Sequence, residues 1–69
     1  MPLTLVRAGE QGAIKKVGGR AETRRFLATL GFVPGTPVTM ITEISGNVIV
    51  GIKEARVAIS REMASKIIV

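Results

Sequence analysis

Few side chains in this sequence can do chemistry. The chain of 69 residues has no Cys, His, Asp, Trp or Tyr. That removes imidazole bases, thiolate nucleophiles, Ser–His–Asp systems, disulfides, His- or Cys-based zinc sites and Asp-rich calcium loops. The carboxylates are Glu10, Glu22, Glu43, Glu54 and Glu62. No two of them have the i, i+3 or i, i+4 spacing that sets ligands on one helix face. Met40 falls in a core-facing alternation and Met63 beside a core turn, so both read as packing residues. Of Ser45, Ser60 and Ser65, only Ser65 has a lysine beside it, and sequence neighbours do not face each other on a helix. No catalytic residue, metal ligand or cofactor site is assigned, and the expectation is a protein that is not an enzyme.

Glycines and basic residues are the remaining source of function. No Gly-x-x-x-x-Gly-Lys loop occurs. Gly9-Glu10-Gln11-Gly12 has the spacing of a KH-type loop, but it joins two strands and reads as a turn. Gly18-Gly19-Arg20 precedes a helix, where free N–H groups attract anions, and Lys16, Arg20 and Arg24 add charge. The favoured reading of the same residues is a flexible connection with solvated arginines. The net charge is +5. Residues 1–25 hold six basic and two acidic residues, a net of +4, and residues 26–69 hold four and three, a net of +1. The basic half suggests nucleic acid, an acidic protein face or a lipid surface, or a solvated face that keeps a small protein soluble. Every apolar run is far shorter than the ~20 residues of a membrane span. The first residues lack the basic and apolar regions of a signal peptide, so a cytoplasmic location without membrane insertion is expected.

The elements that must position these residues are short. Val and Ile number 8 each against 4 Leu, a bias toward strands. Alternation predicts strands at Leu3–Arg7 and Ala13–Val17, the second ended by Gly18-Gly19. Residues 20–30 read as a helix with a stripe of Thr23, Phe26, Leu27 and Leu30. Gly31 as its left-handed terminator sets Phe32 against Leu27. Val33-Pro34-Gly35-Thr36 reads as a type II turn. Thr36–Ile44 is the longest strand, with Pro37 at its start, and Ser45-Gly46-Asn47 turns into a strand at Val48–Lys53. Gly51 marks a bulge or bend there. Val57–Ile59 follows, then Ser60 caps a helical turn over Arg61–Ser65. A last strand, Ile67–Val69, takes the N-terminal strand as its natural partner. So many short strands must curl. The expected fold is mainly β: one domain over residues 1–69, a small, partly open SH3-like barrel of five to six strands. One inserted α-helix covers its mouth, and a short helical turn lies near the C-terminus.

The run Arg24–Val38, with its helix end Leu30-Gly31-Phe32 and its turn Pro34-Gly35, resembles the FeoA family of small accessory proteins of bacterial ferrous iron uptake. Pro2-Leu3-Thr4-Leu5, Val48-Ile49-Val50, Arg56-Val57-Ala58-Ile59 and the closing Met63-Ala64 with Ile67-Ile68-Val69 are similar to the family as well. The resemblance covers essentially the whole chain. The same fold occurs as the C-terminal domain of iron-dependent repressors, and the free-standing form is the better match. The resemblance implies a role in iron uptake with FeoB, a membrane GTPase transporter. On that basis Lys16, Arg20, Arg24 and Arg25 are the expected docking residues for the transporter's cytoplasmic domain. The alternative is a small basic barrel that binds nucleic acid. Single-strand binders stack bases on aromatics, and Phe26 and Phe32 are assigned to packing the helix end, so no nucleic-acid partner is expected. Homo-oligomers are open to the chain through exchange of Ile67–Val69.

Overall fold

The structure, a computed structural model, describes residues 1–69. Its longest elements are two hairpins in succession. Strand β3 (Pro37–Ile44) turns through Ser45-Gly46 into β4 (Asn47–Ile52), and β4 turns through Lys53-Glu54 into β5 (Ala55–Ser60). Ser45 and Gly46 have φ of 48° and 80°, the paired positive values of a type I′ turn. Strand β1 (Gln11–Ala13) adds antiparallel to the other side of β3, giving the sheet order β1-β3-β4-β5. A second, two-stranded sheet pairs β2 (Lys16–Val17) with β6 (Ile67–Ile68). Helix α1 (Ala21–Thr29) follows β2, and α2 (Arg61–Ser65) joins β5 to β6. Neither helix is long and apolar enough to cross a membrane.

The core is wholly apolar. Its twelve buried residues come from both sheets, both helices and the connections, and no polar or charged residue is among them. Val38 and Met40 of β3, Val48, Val50 and Ile52 of β4 and Ile59 of β5 form the inner row of the sheet. Leu27 of α1, Phe32 just beyond that helix and Ala64 of α2 complete the same cluster.

The helix end and its turn form as the sequence predicts. Phe32 N–H donates to the Leu27 carbonyl at 2.9 Å and Gly31 N–H to Ala28 at 3.0 Å, the two bonds of a Schellman motif. Gly31 has φ of 102°, which a β-carbon tolerates poorly. Gly35, at φ 89°, lets Thr36 N–H reach the Val33 carbonyl at 3.1 Å. The Gly35 N–H also donates to Ile14 at 2.7 Å, and Ile14 N–H donates to Thr36 at 3.0 Å. The Pro34-Gly35 turn thus fixes the chain where it passes from one sheet to the other.

Five expectations are corrected. Leu3–Leu5 is a 3₁₀ turn, closed by Leu5 N–H and Val6 N–H on the Pro2 and Leu3 carbonyls at 3.0 Å each, and not a strand. A three-residue period sends Leu3 into the core and leaves Leu5 63% exposed. Ala13–Val17 is not one strand, because buried Ile14 breaks it into β1 and β2 in different sheets. Ile67–Ile68 therefore pairs with β2, and the N-terminal segment contributes only a bridge from Pro2 to Ile68. The irregularity expected at Gly51 lies across the ladder instead, in the register shift between Met40 and Thr42. Gly51 itself pairs regularly with Thr39 and Arg56. Finally, Phe26 is 49% exposed and leaves the expected stripe, so Leu27 is the fully buried anchor of α1, with half-buried Leu30 packed against the core at the helix end.

The bulge has a consequence for charge. Beyond it, Glu43 lies opposite Val48, in the inner row. There its carboxylate meets the Arg61 guanidinium at the start of α2, the one ion pair of the molecule.

Candidate docking site

The two helices begin side by side. The β2–β6 pairing brings Lys66 to the end of β2, where Gly18 N–H donates to the Lys66 carbonyl at 2.8 Å. Gly19 then reverses the chain at φ 92°, and Arg20 enters α1 in extended conformation as its N-cap, without a side-chain cap bond. On the other side Ser60 caps α2, its Oγ accepting the Met63 N–H at 3.1 Å. Between them lies an open cleft of about 300 Å³, lined by Gly19, Arg20, Thr23, Ser60, Glu62, Met63 and Lys66. Two cations face one carboxylate there, and Met63 is the only apolar wall.

The expected docking residues stand differently toward this cleft. Arg20 lines it. Arg24 stands one turn on, its N–H donating to the Arg20 carbonyl at 2.9 Å. Its Nη1 donates to the Gly19 carbonyl at 2.9 Å, which holds the guanidinium at the α1 N-terminus. Lys16 is exposed on β2 and Arg25 is exposed on α1. Neither lines the cleft, and no member of the set pairs with a carboxylate. No three His, Cys, Asp or Glu side chains come close enough to hold a metal ion.

The sequence model of the FeoA domain matches residues 1–69. The chain belongs to the FeoA domain family. It is 31% identical over 68 residues to the Fe(2+) transport protein A of Methanocaldococcus jannaschii, covering 99% of this chain and 83% of that one. The solution structure of FeoA from Chlorobium tepidum superposes with a TM-score of 0.90 at 23% identity, over 99% of this chain and 67% of the other. The crystal structure of Stenotrophomonas maltophilia FeoA with zinc, a prokaryotic SH3 domain protein, gives 0.85 at 22%, over 99% and 87%. The architecture is accordingly the SH3-like barrel expected from the sequence.

In this FeoA domain the α2 side of the cleft was not foreseen. Lys66, Glu62 and Met63 carry no local signal of a site. Lys66 reaches Gly18 only through the antiparallel pairing of β2 with β6. The capping serine at position 60 was legible, and it fixes where α2 starts.

Proposed function

We propose that this chain is an accessory protein of ferrous iron uptake that docks on the cytoplasmic GTPase part of a FeoB-type transporter. The docking face comprises Lys16, Arg20, Arg24 and Arg25 with Lys66 of the cleft, and the partner presents an acidic surface. It works in the cytoplasm, as a binding module without catalytic residues or a cofactor. The observation that carries this reading is the unpaired Arg20 and Lys66 that line the cleft, with Arg24 held beside them at the α1 N-terminus, in a chain whose one ion pair lies elsewhere. Charges on such a rim raise association rates and make binding salt-dependent. Nucleic-acid binding is less well supported. Phe32 is buried, which leaves Phe26 as the only surface aromatic, whereas strand binders stack successive bases.

The test is calorimetric titration of the chain into the purified cytoplasmic domain of the transporter, loaded with GDP and, separately, with a GTP analogue. Saturable binding to either form is expected. No heat in either state, with both proteins folded, removes the reading.

A further inference from the structure

We propose that β5 is a self-pairing edge: two copies of the chain join through it as antiparallel strands about a two-fold axis at Val57. The two-residue turn Lys53-Glu54 sets Ile52 opposite Ala55, so the ladder bonds fall on Ala55, Val57 and Ile59. Arg56 and Ala58 take the alternate positions, and their N–H and C=O groups point away from β4. Beyond that ladder no hydrogen bond reaches them. Both residues are exposed, and core-facing Val57 is half-buried beside them.

The other edge of the sheet is different. Strand β1 has three residues against the six of β5, and Val69 packs over its face, where a Cβ at Gly12 would lie 3.2 Å from Val69 Cβ, so it offers a much shorter template. An open edge strand is a template for another strand.

The sequence of β5 suits a second copy as the occupant. With the axis at Val57, Arg56 lies opposite Ala58 of the second copy, and every free group of both residues finds a partner. Val57 meets its own counterpart in a close, non-bonded pair, covering the exposed side of each. No arginine lies directly opposite an arginine. Residues 53–62 hold three basic and two acidic residues, and Arg61 is already paired with Glu43. Two strongly basic chains therefore meet where their charge is nearly balanced, and an acidic segment has little to recognise there. The inference does not depend on the docking reading above.

The register makes a charge test. In Ala58→Glu, carboxylates face Arg56 of the other copy at two symmetric places. In Ala58→Lys, like charges face each other. Sedimentation equilibrium over a concentration series to millimolar should show a reversible dimer of the parent chain. The dissociation constant should fall by about two- to thirty-fold in Ala58→Glu and rise by a similar factor in Ala58→Lys. The double variant Arg56→Glu/Ala58→Lys restores opposite charges at both places and should dimerise about as tightly as Ala58→Glu. Position 58 is exposed, and matched thermal melts will show that the variants fold. A parent that stays monomeric throughout, or Glu and Lys variants that behave alike, overturns the proposal. So does protection of the Arg56 and Ala58 amides from hydrogen exchange only when the transporter domain is added, which gives the edge to a partner segment.

Discussion

Gly18 N–H donates to the carbonyl of Lys66 at 2.8 Å, and this bond joins two parts of the chain that the sequence keeps far apart. It closes the last turn of α2 onto the strand that feeds α1. The stem of Lys66 then passes over Gly19, where a Cβ would lie 3.6 Å from Lys66 Cγ. The cleft walls are thus held by backbone pairing, while the charged ends of Arg20 and Lys66 remain free to meet a partner.

Gly19→Ala is expected to destabilise the fold by about 1–2 kcal/mol, the cost of a side chain in the left-handed region. The contact with Lys66 is an ordinary one, so Lys66→Ala in the same background should recover little of the loss. Urea unfolding of the single and double variants measures both.

Leu27→Ala should cost about 2–5 kcal/mol, because Leu27 is the one fully buried residue of α1. Leu30→Ala should cost clearly less, since Leu30 is half-buried. Phe26→Ser should stay within about 0.5 kcal/mol of the parent, as surface substitutions do. Thermal melts of the three ranked against one another check the orientation of the helix.

Gly31→Val should destabilise by about 1–3 kcal/mol. Two effects add there. The residue sits at φ 102°, and a Cβ would already be in ordinary contact with Lys53 Cε at 3.6 Å and Ile52 Cδ1 at 3.7 Å, so the γ-carbons of Val would press on those two side chains. Trimming Lys53 to Ala should restore only the packing part, which a double-mutant cycle isolates.

Ser60→Ala should lose about 1 kcal/mol with the capping bond to Met63 N–H. Because α2 forms one wall of the cleft, the same variant should weaken docking on the transporter domain. Ser60→Asp, which preserves the acceptor, should keep the stability.

What could be read from the sequence was what is decided within a few residues. Leu27, Gly31 and Phe32 specify a helix stop by local geometry, as Ser60 specifies a helix start. Ser45-Gly46 specifies a hairpin in the same way. Leu3 and Leu5 misled, because two apolar residues in so short a run fit a strand or a tight helical turn equally. Ile14 misled for another reason. Its carbonyl and N–H are taken by Gly35 and Thr36, while Lys15 N–H donates to Ile68 at 2.7 Å, so tertiary pairing splits one alternating segment between two sheets. The bulge between Met40 and Thr42 has no glycine to announce it, yet it turns Glu43 toward Arg61. Of the proposed docking face, the α1 arginines were legible as a charge cluster. Lys66 was not, since only the β2–β6 register brings it there.

The most direct test of the account is a titration of the double variant Arg20→Glu/Arg24→Glu against the transporter's cytoplasmic domain at low and high salt. Both side chains are exposed, so the fold should be kept. The account predicts binding at least about tenfold weaker than that of the parent at low salt, with the difference shrinking as salt screens the rim charges. A double variant with the affinity and salt dependence of the parent would show that the basic face is solvated surface, and would contradict the account.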